Sequence, residues 1–141
     1  MGKGTTFDND LLKLLFQATA IANIADNAAT SPLTNLYVSL HTADPSAGNQ
    51  STNETTYTGY ARVAVARTSG GFTVTTNSVS PAANITFGQC TAGSGTLTYF
   101  AIGTLSSGAG KVLYAGTITP NITLATNLTP ILTTASAVTE S

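Results

Sequence analysis

Apolar positions along the chain follow two regimes. Before residue 30 they recur with a helical period. Leu11, Leu14, Leu15, Ala18 and Ala22 share one stripe, and Leu12, Phe16 and Ile24 widen it. The stretch "DNDLLKLLFQATAIANIAD", residues 8–26, therefore reads as a helix. Thr5 and Asp8 stand at capping-box spacing, and Asp8 and Asp10 suit the positive end of the helix dipole. Apart from Lys13 and Gln17 the helix is apolar nearly all round. Two covers are open to it, the chain's own β domain and a neighbouring subunit. "NAATSPL" closes the segment, because Pro32 cannot continue a helix.

From residue 35 the period is two. Leu36, Val38 and Leu40 alternate with Tyr37, Ser39 and His41, which predicts a half-buried strand. "TADPSAGNQSTNETTYTG", residues 42–59, is polar, without apolar period, and long for a connection. Loops of that length are usually functional or mobile. "YARVAVART", "FTVTT", "ITF", "TLTYFAIGTL", "KVLYAGTI", "NITLAT" and "PILTTASAVT" then follow, separated by Gly, Pro, Asn and Ser. About eight strands at roughly ten-residue spacing predict a mainly β protein, an antiparallel β-sandwich or jelly roll with one N-terminal α-helix. The expected organisation is a single domain: a helical segment over 1–34 and a β-sandwich over 35–141. Its length of 141 residues and 42% hydrophobic content are enough for one real core.

Composition adds one constraint. Charged residues make up 8% of the chain, against roughly 25% in ordinary soluble domains. Threonine takes about a fifth of the positions, so hydroxyls and amides must do the solvating. Net charge is −1, which leaves little repulsion between copies. Such a surface suits a subunit packed among copies of itself or on a larger scaffold; a monomer with a polar uncharged surface is the alternative. Five basic residues scattered from Lys3 to Lys111 form no phosphate-binding cluster, so no nucleic acid is expected. No apolar run of about 18 residues exists to span a membrane. The opening "MGKGTTFDND" has no secretory pattern, and the single Cys90 forms no bridge within the chain.

Candidate chemistry is thin. The only histidine, His41, lies near Ser39 and Asp44. Ser39 and His41 share a strand face about 7 Å apart, so they are expected to meet only through unusual rotamers. Asp44-Pro45 is a common turn-initiating pair. A catalytic triad is therefore not expected; a hydrogen bond from His41 to a neighbouring strand or to the base of the 42–59 loop is. "SSGAGKV" lacks the first glycine and the hydroxyl of a P-loop, since Leu105 and Val112 stand there, and reads as a hairpin turn. "DND" lacks the rest of a calcium loop. Glu54 and Glu140 are isolated, so paired-carboxylate hydrolysis is absent. Cys90 has no base nearby in sequence. No catalytic, cofactor or metal residue is expected. Asparagine sequons at 49, 53, 84, 121 and 127 carry no meaning without a secretory signal.

"LYVSLHTADP…TNETTYTGYARVAVART", together with "TYFAIGTLSSGAGKVLYAGTIT", resembles a family of small tailed-bacteriophage virion proteins, of the head-decoration or tail-fibre-like kind. The resemblance is specific over 36–67 and 98–119. It implies a non-enzymatic structural protein of the virion, made in the host cytoplasm. Its expected partners are other virion proteins, the major capsid protein first and tail proteins as the alternative, together with copies of itself. A capsid decoration (cement) protein is the leading expectation, and a tail or tail-fibre component the second. The surfaces expected to make contact are the helix, through Leu11, Leu12, Leu15 and Phe16, and the long loop, through Asn49, Asn53, Glu54 and Tyr57.

Overall fold

The computed structural model describes residues 5–20 and 32–140. Helix α1 (Thr5–Gln17) precedes nine strands: β1 (Asn35–His41), β2 (Val63–Ala66), β3 (Phe72–Thr75), β4 (Ser78–Pro81), β5 (Ile85–Thr86), β6 (Gly95–Gly103), β7 (Val112–Leu124), β8 (Ile131–Leu132) and β9 (Val138–Thr139). Every strand pairing is antiparallel. A four-stranded sheet has the order β2-β1-β6-β7, a three-stranded sheet β3-β4-β9, and a two-stranded one β5-β8. The mainly antiparallel β-sandwich expected from the period-two pattern is what forms.

Register explains the core. Leu36 faces Val65, Val38 faces both Val63 and Ile102, and Leu40 faces Phe100. Opposed residues share a face, so these form the inner wall of the large sheet. Phe72, Val79 and Val138 of the small sheet close over it, and all belong to one buried cluster. The void left between the sheets is about 10 Å³, room for one water at most. Among the described residues the space between the sheets is filled.

Helix α1 is shorter than its periodicity predicts. It ends at Gln17, and Ala18 adopts a left-handed φ of 53°. Ala22 and Ile24, the far end of the expected stripe, lie outside the described residues. Leu12 and Phe16 are fully buried: the Phe16 ring meets Phe72 edge-on at 4.9 Å and Tyr114 at 5.7 Å. The Gln17 side-chain amide donates to the Phe72 carbonyl at 3.0 Å. The last helical carbonyls would otherwise lack partners. Arg67 supplies them, donating to the carbonyls of Leu14 and Leu15 and, at 3.3 Å, to that of Leu33. One guanidinium thus fastens helix end, connector and β2. Burial holds its pKa below the usual arginine value. No described helix is long and apolar enough to cross a membrane.

The second half departs from the predicted segmentation in three places. "KVLYAGTI" and "NITLAT" belong to one long strand, β7. Between the Leu97–Ile122 and Tyr99–Thr117 pairs, β6 passes only Thr98 while β7 passes Ile118, Thr119, Pro120 and Asn121. Pro120, after a cis peptide bond, sits in this bulge, where a strand tolerates a residue without an amide donor. "PILTTASAVT" in turn divides into β8 and β9, which join different sheets. β4, "SVSP", has too short an apolar signal to read from sequence.

Candidate functional site

β1 is buried on both faces toward its end: Ser39, Leu40 and His41 are each 0% exposed. The outer face, predicted to meet solvent, is covered by residues 42–62. Small residues make that close approach available. Ala101 stands opposite Ser39 and Gly103 opposite Tyr37. Gln50 lies over Gly103 and Gly110, where an added Cβ would come within 2.1 and 2.0 Å of its side chain. Gln50 donates to the Tyr37 carbonyl at 3.3 Å, accepts from the Leu105 amide at 2.9 Å, and its own amide donates to Gly110 at 2.8 Å. A fully buried glutamine is costly unless bonded, and here it is bonded at both ends. The long segment is therefore a packed layer, with Pro45, Gln50, Thr55 and Tyr57 buried.

The segment is also laddered onto β1. Thr42 donates to Asn53 at 2.9 Å and Thr55 to Leu40 at 3.0 Å, on either side of a His41–Glu54 bridge. That brings Glu54 to Arg62. Glu54 Oε1 lies 2.7 Å from Arg62 Nε and Oε2 lies 2.7 Å from Nη2. The Tyr60 hydroxyl donates to Glu54 at 2.8 Å and accepts from the Leu40 amide at 3.2 Å. Arg62 continues to the carbonyls of Leu105 at 2.9 Å and Gly108 at 2.7 Å. Its pKa is raised, chiefly by the Glu54 hydrogen bonds. Burial raises the Tyr60 pKa, and pushes that of Tyr57 up to about 12. The Tyr57 hydroxyl donates to Gly88 at 2.7 Å. Gly59 turns the chain at φ 101°, and a Cβ there would meet the Gln89 carbonyl at 2.1 Å.

Between this segment and the β6–β7 turn opens a cleft of about 360 Å³, lined among others by Glu54, Thr56, Tyr57, Arg62, Ser106 and Ser107. Its charges are engaged with each other and with carbonyls, so it presents chiefly hydroxyls and backbone. One carboxylate cannot do two-acid hydrolysis. Among the described residues no group of three His, Cys, Asp or Glu could hold a metal ion.

Ser39 and His41 do meet along the strand face: Ser39 Oγ lies 2.8 Å from His41 Nε2. His41 Nδ1 lies 2.8 Å from the Thr52 carbonyl. A carbonyl can only accept, so Nδ1 carries the proton and Nε2 accepts from the serine. This is a base-and-nucleophile contact, but both side chains are sealed from solvent, which leaves no path for substrate. The expected bond from His41 to the long loop is present, to Thr52. Asp44 is exposed and instead accepts from the Ser46 amide at 2.9 Å, which lowers its pKa.

The eight residues expected to make contacts fall into two groups. Leu12 and Phe16 are buried against the small sheet, while Leu11 and Leu15 are half-buried beside them. Asn49, half-buried, accepts from the Ser51 amide at 2.9 Å. Asn53, exposed at a left-handed φ of 55°, donates to the Asp44 carbonyl at 3.3 Å. Glu54 and Tyr57 are tied inward as described. Gln50, Tyr60 and Arg62 complete the network and were not anticipated. In a chain so poor in charge, the eight-residue spacing of Glu54 and Arg62 was the available signal.

The motif that marks the chain is thus a set of interlocked parts: Glu54, Tyr57, Gly59, Tyr60 and Arg62 each hold another segment. No curated protein matches the chain. Residues 4–139 match the family described as podophage GP4 fiber I protein gp80. That span takes in both stretches that carry the resemblance to tailed-phage virion proteins, and the chain belongs to this podophage fibre-protein family.

Proposed function

We propose that the protein is a non-enzymatic structural component of a podophage fibre, attached to other virion proteins at the tail. The family match carries this reading. It favours the tail-fibre alternative over the capsid cement that led the expectations. The grounds for a cement are small size, low charge and the absence of a receptor-like repeat or fibrous segment; the first two suit a fibre subunit equally. A structural role is further supported by the motif itself, whose polar groups bind the chain to itself and whose serine–histidine contact is sealed. The half-buried Leu11, Leu15 and Asn49 and the exposed Asn53 are the proposed attachment surfaces of helix and loop.

Quantitative gels of purified virions, with labelled antibody in electron micrographs, test the assignment. Labelling at the tail, with at most about a few dozen copies, is expected. Label spread over the head, with copies on the order of hundreds, would return the protein to the capsid. Leu11→Asp with Leu15→Asp should weaken incorporation; normal incorporation of a folded double variant removes the helix as a contact.

A further inference from the structure

Arg62 holds both walls of the cleft between the 42–62 segment and the β6–β7 turn. On one side it is paired with Glu54 at 2.7 Å. On the other it donates to the carbonyls of Leu105 at 2.9 Å and Gly108 at 2.7 Å. Those carbonyls bracket Ser106 and Ser107, so the turn between them is fixed at both ends. Ser106 and Ser107 on one wall and Thr56 on the other are exposed and line the cleft. Their hydroxyls make no hydrogen bond among the described residues. Glu54 adds an acceptor. Its Oε1 takes bonds from Arg62 and Tyr60, while Oε2 takes one, from Arg62. That leaves Oε2 a free lone pair. The Glu54 side chain is 15% exposed and that of Arg62 2%, so the pair meets a ligand through its carboxylate. Tyr57, Tyr60 and Ala61 give the cleft an apolar flank. Its volume of about 360 Å³ lies at the small end of ligand pockets, roughly 300–1,000 Å³.

We propose that this cleft binds a neutral saccharide, whose hydroxyls donate to Glu54 Oε2 and exchange hydrogen bonds with Thr56, Ser106 and Ser107. The groups present select by charge and by bonding. An anion meets the Glu54 carboxylate with no unengaged cation to receive it. A cation finds that carboxylate already neutralised by Arg62. An apolar molecule strips the hydroxyls and the carboxylate of water and returns no bonds. An extended peptide pairs on a strand edge, and neither 54–62 nor 105–108 belongs to a strand. A neutral polyol satisfies all of these groups, because each of its hydroxyls both donates and accepts. The walls are fixed before a ligand arrives, which keeps the ordering cost of binding low. This inference rests on the cleft and stands apart from the fibre reading.

Amide NMR spectra of the purified full chain, titrated with glucose, galactose and mannose, test it. At least one of these sugars should shift resonances of residues 54–62 and 105–108 saturably at millimolar concentration. The uronic acid of the sugar that binds should bind about fivefold more weakly or worse, because its carboxylate faces Glu54. Ser106→Ala combined with Ser107→Ala should weaken binding roughly fivefold or more through the lost hydroxyls. Both serines are exposed, so the thermal midpoint should not move. Thr126→Ala, exposed outside the cleft, should leave binding unchanged. A chain whose cleft resonances none of the three sugars shifts overturns the proposal. So does a uronic acid that binds as tightly as its neutral sugar, or a folded double variant that binds as the wild type does. A neutral glycine–serine peptide that displaces the sugar at lower concentration than the sugar itself needs also overturns it, in favour of a protein partner.

Discussion

Glu54 and Arg62 meet as a two-pronged pair, Oε1 to Nε and Oε2 to Nη2, both at 2.7 Å. Neither side chain is more than 15% exposed. Removing one partner from a buried pair leaves the other charge uncompensated, which costs about 3–5 kcal/mol. Glu54→Ala should therefore unfold at lower urea with a loss in that range. Arg62→Ala should lose as much, since it also releases the Leu105 and Gly108 carbonyls. The double variant should lose far less than the sum of the two. Additive losses in urea titrations would mean the pair is energetically silent.

Gly103 and Gln50 make a second coupled pair. A Cβ at Gly103 would fall 2.1 Å from the Gln50 side chain, which is anchored at Tyr37 and Leu105. Overpacking of this kind costs about 1–3 kcal/mol. Gly103→Ala should destabilise by that much in the wild type and by clearly less in a Gln50→Ala background, where the space is open. An equal penalty in both backgrounds, measured by thermal unfolding, would place the strain elsewhere.

The inner face of the sandwich was legible because its signal is local. Leu36, Val38 and Leu40 alternate, and alternation needs no knowledge of what packs above. The outer face was not. Ser39 and His41 look like solvent positions, and what buries them is a polar segment whose inward residues are Gln50, Thr55 and Tyr57. Burial of this kind is achieved by hydrogen bonds, which leave no hydrophobic period to read. Helix length failed for a related reason. The apolar stripe continues past Gln17, but the chain turns left-handed at Ala18, and Arg67, distant in sequence, takes carbonyls of the last turn. Candidate contacts on Leu12 and Phe16 were apolar enough for an interface, and the same property placed them in the core.

Arg67 yields a local prediction. Its hydrogen bonds to the Leu14 and Leu15 carbonyls satisfy acceptors that burial would leave unpaired. A cation at a helix C-terminus is also favourable, in all worth about 2 kcal/mol. Arg67→Met keeps much of the side-chain volume and removes the donors. Hydrogen exchange should quicken in the last turn of α1 and at β2 before it changes in β6. Uniform loss of protection across all strands would show instead that the helix and the sandwich unfold as one unit.

His41 sets an acid limit on stability. Burial holds its pKa below the ordinary 6.5, with Arg62 acting in the same direction and the Thr52 carbonyl and Glu54 opposing. The folded state therefore takes up a proton less readily than the unfolded chain. Stability from this site is complete above pH 6.5 and falls as pH drops from there through the lower folded pKa. Protonation also reverses a contact: Nε2, now a donor, gives its hydrogen bond to Ser39 Oγ, and the serine hydroxyl loses its acceptor there. That hydroxyl must redirect to its second acceptor, the Ala101 carbonyl at 3.5 Å, a weak bond. Urea midpoints of the wild type should fall between pH 7 and pH 5. His41→Gln should be less stable at pH 7 and nearly flat across the same interval, since it cannot titrate. A variant that keeps the wild-type slope would assign the acid sensitivity to the carboxylates.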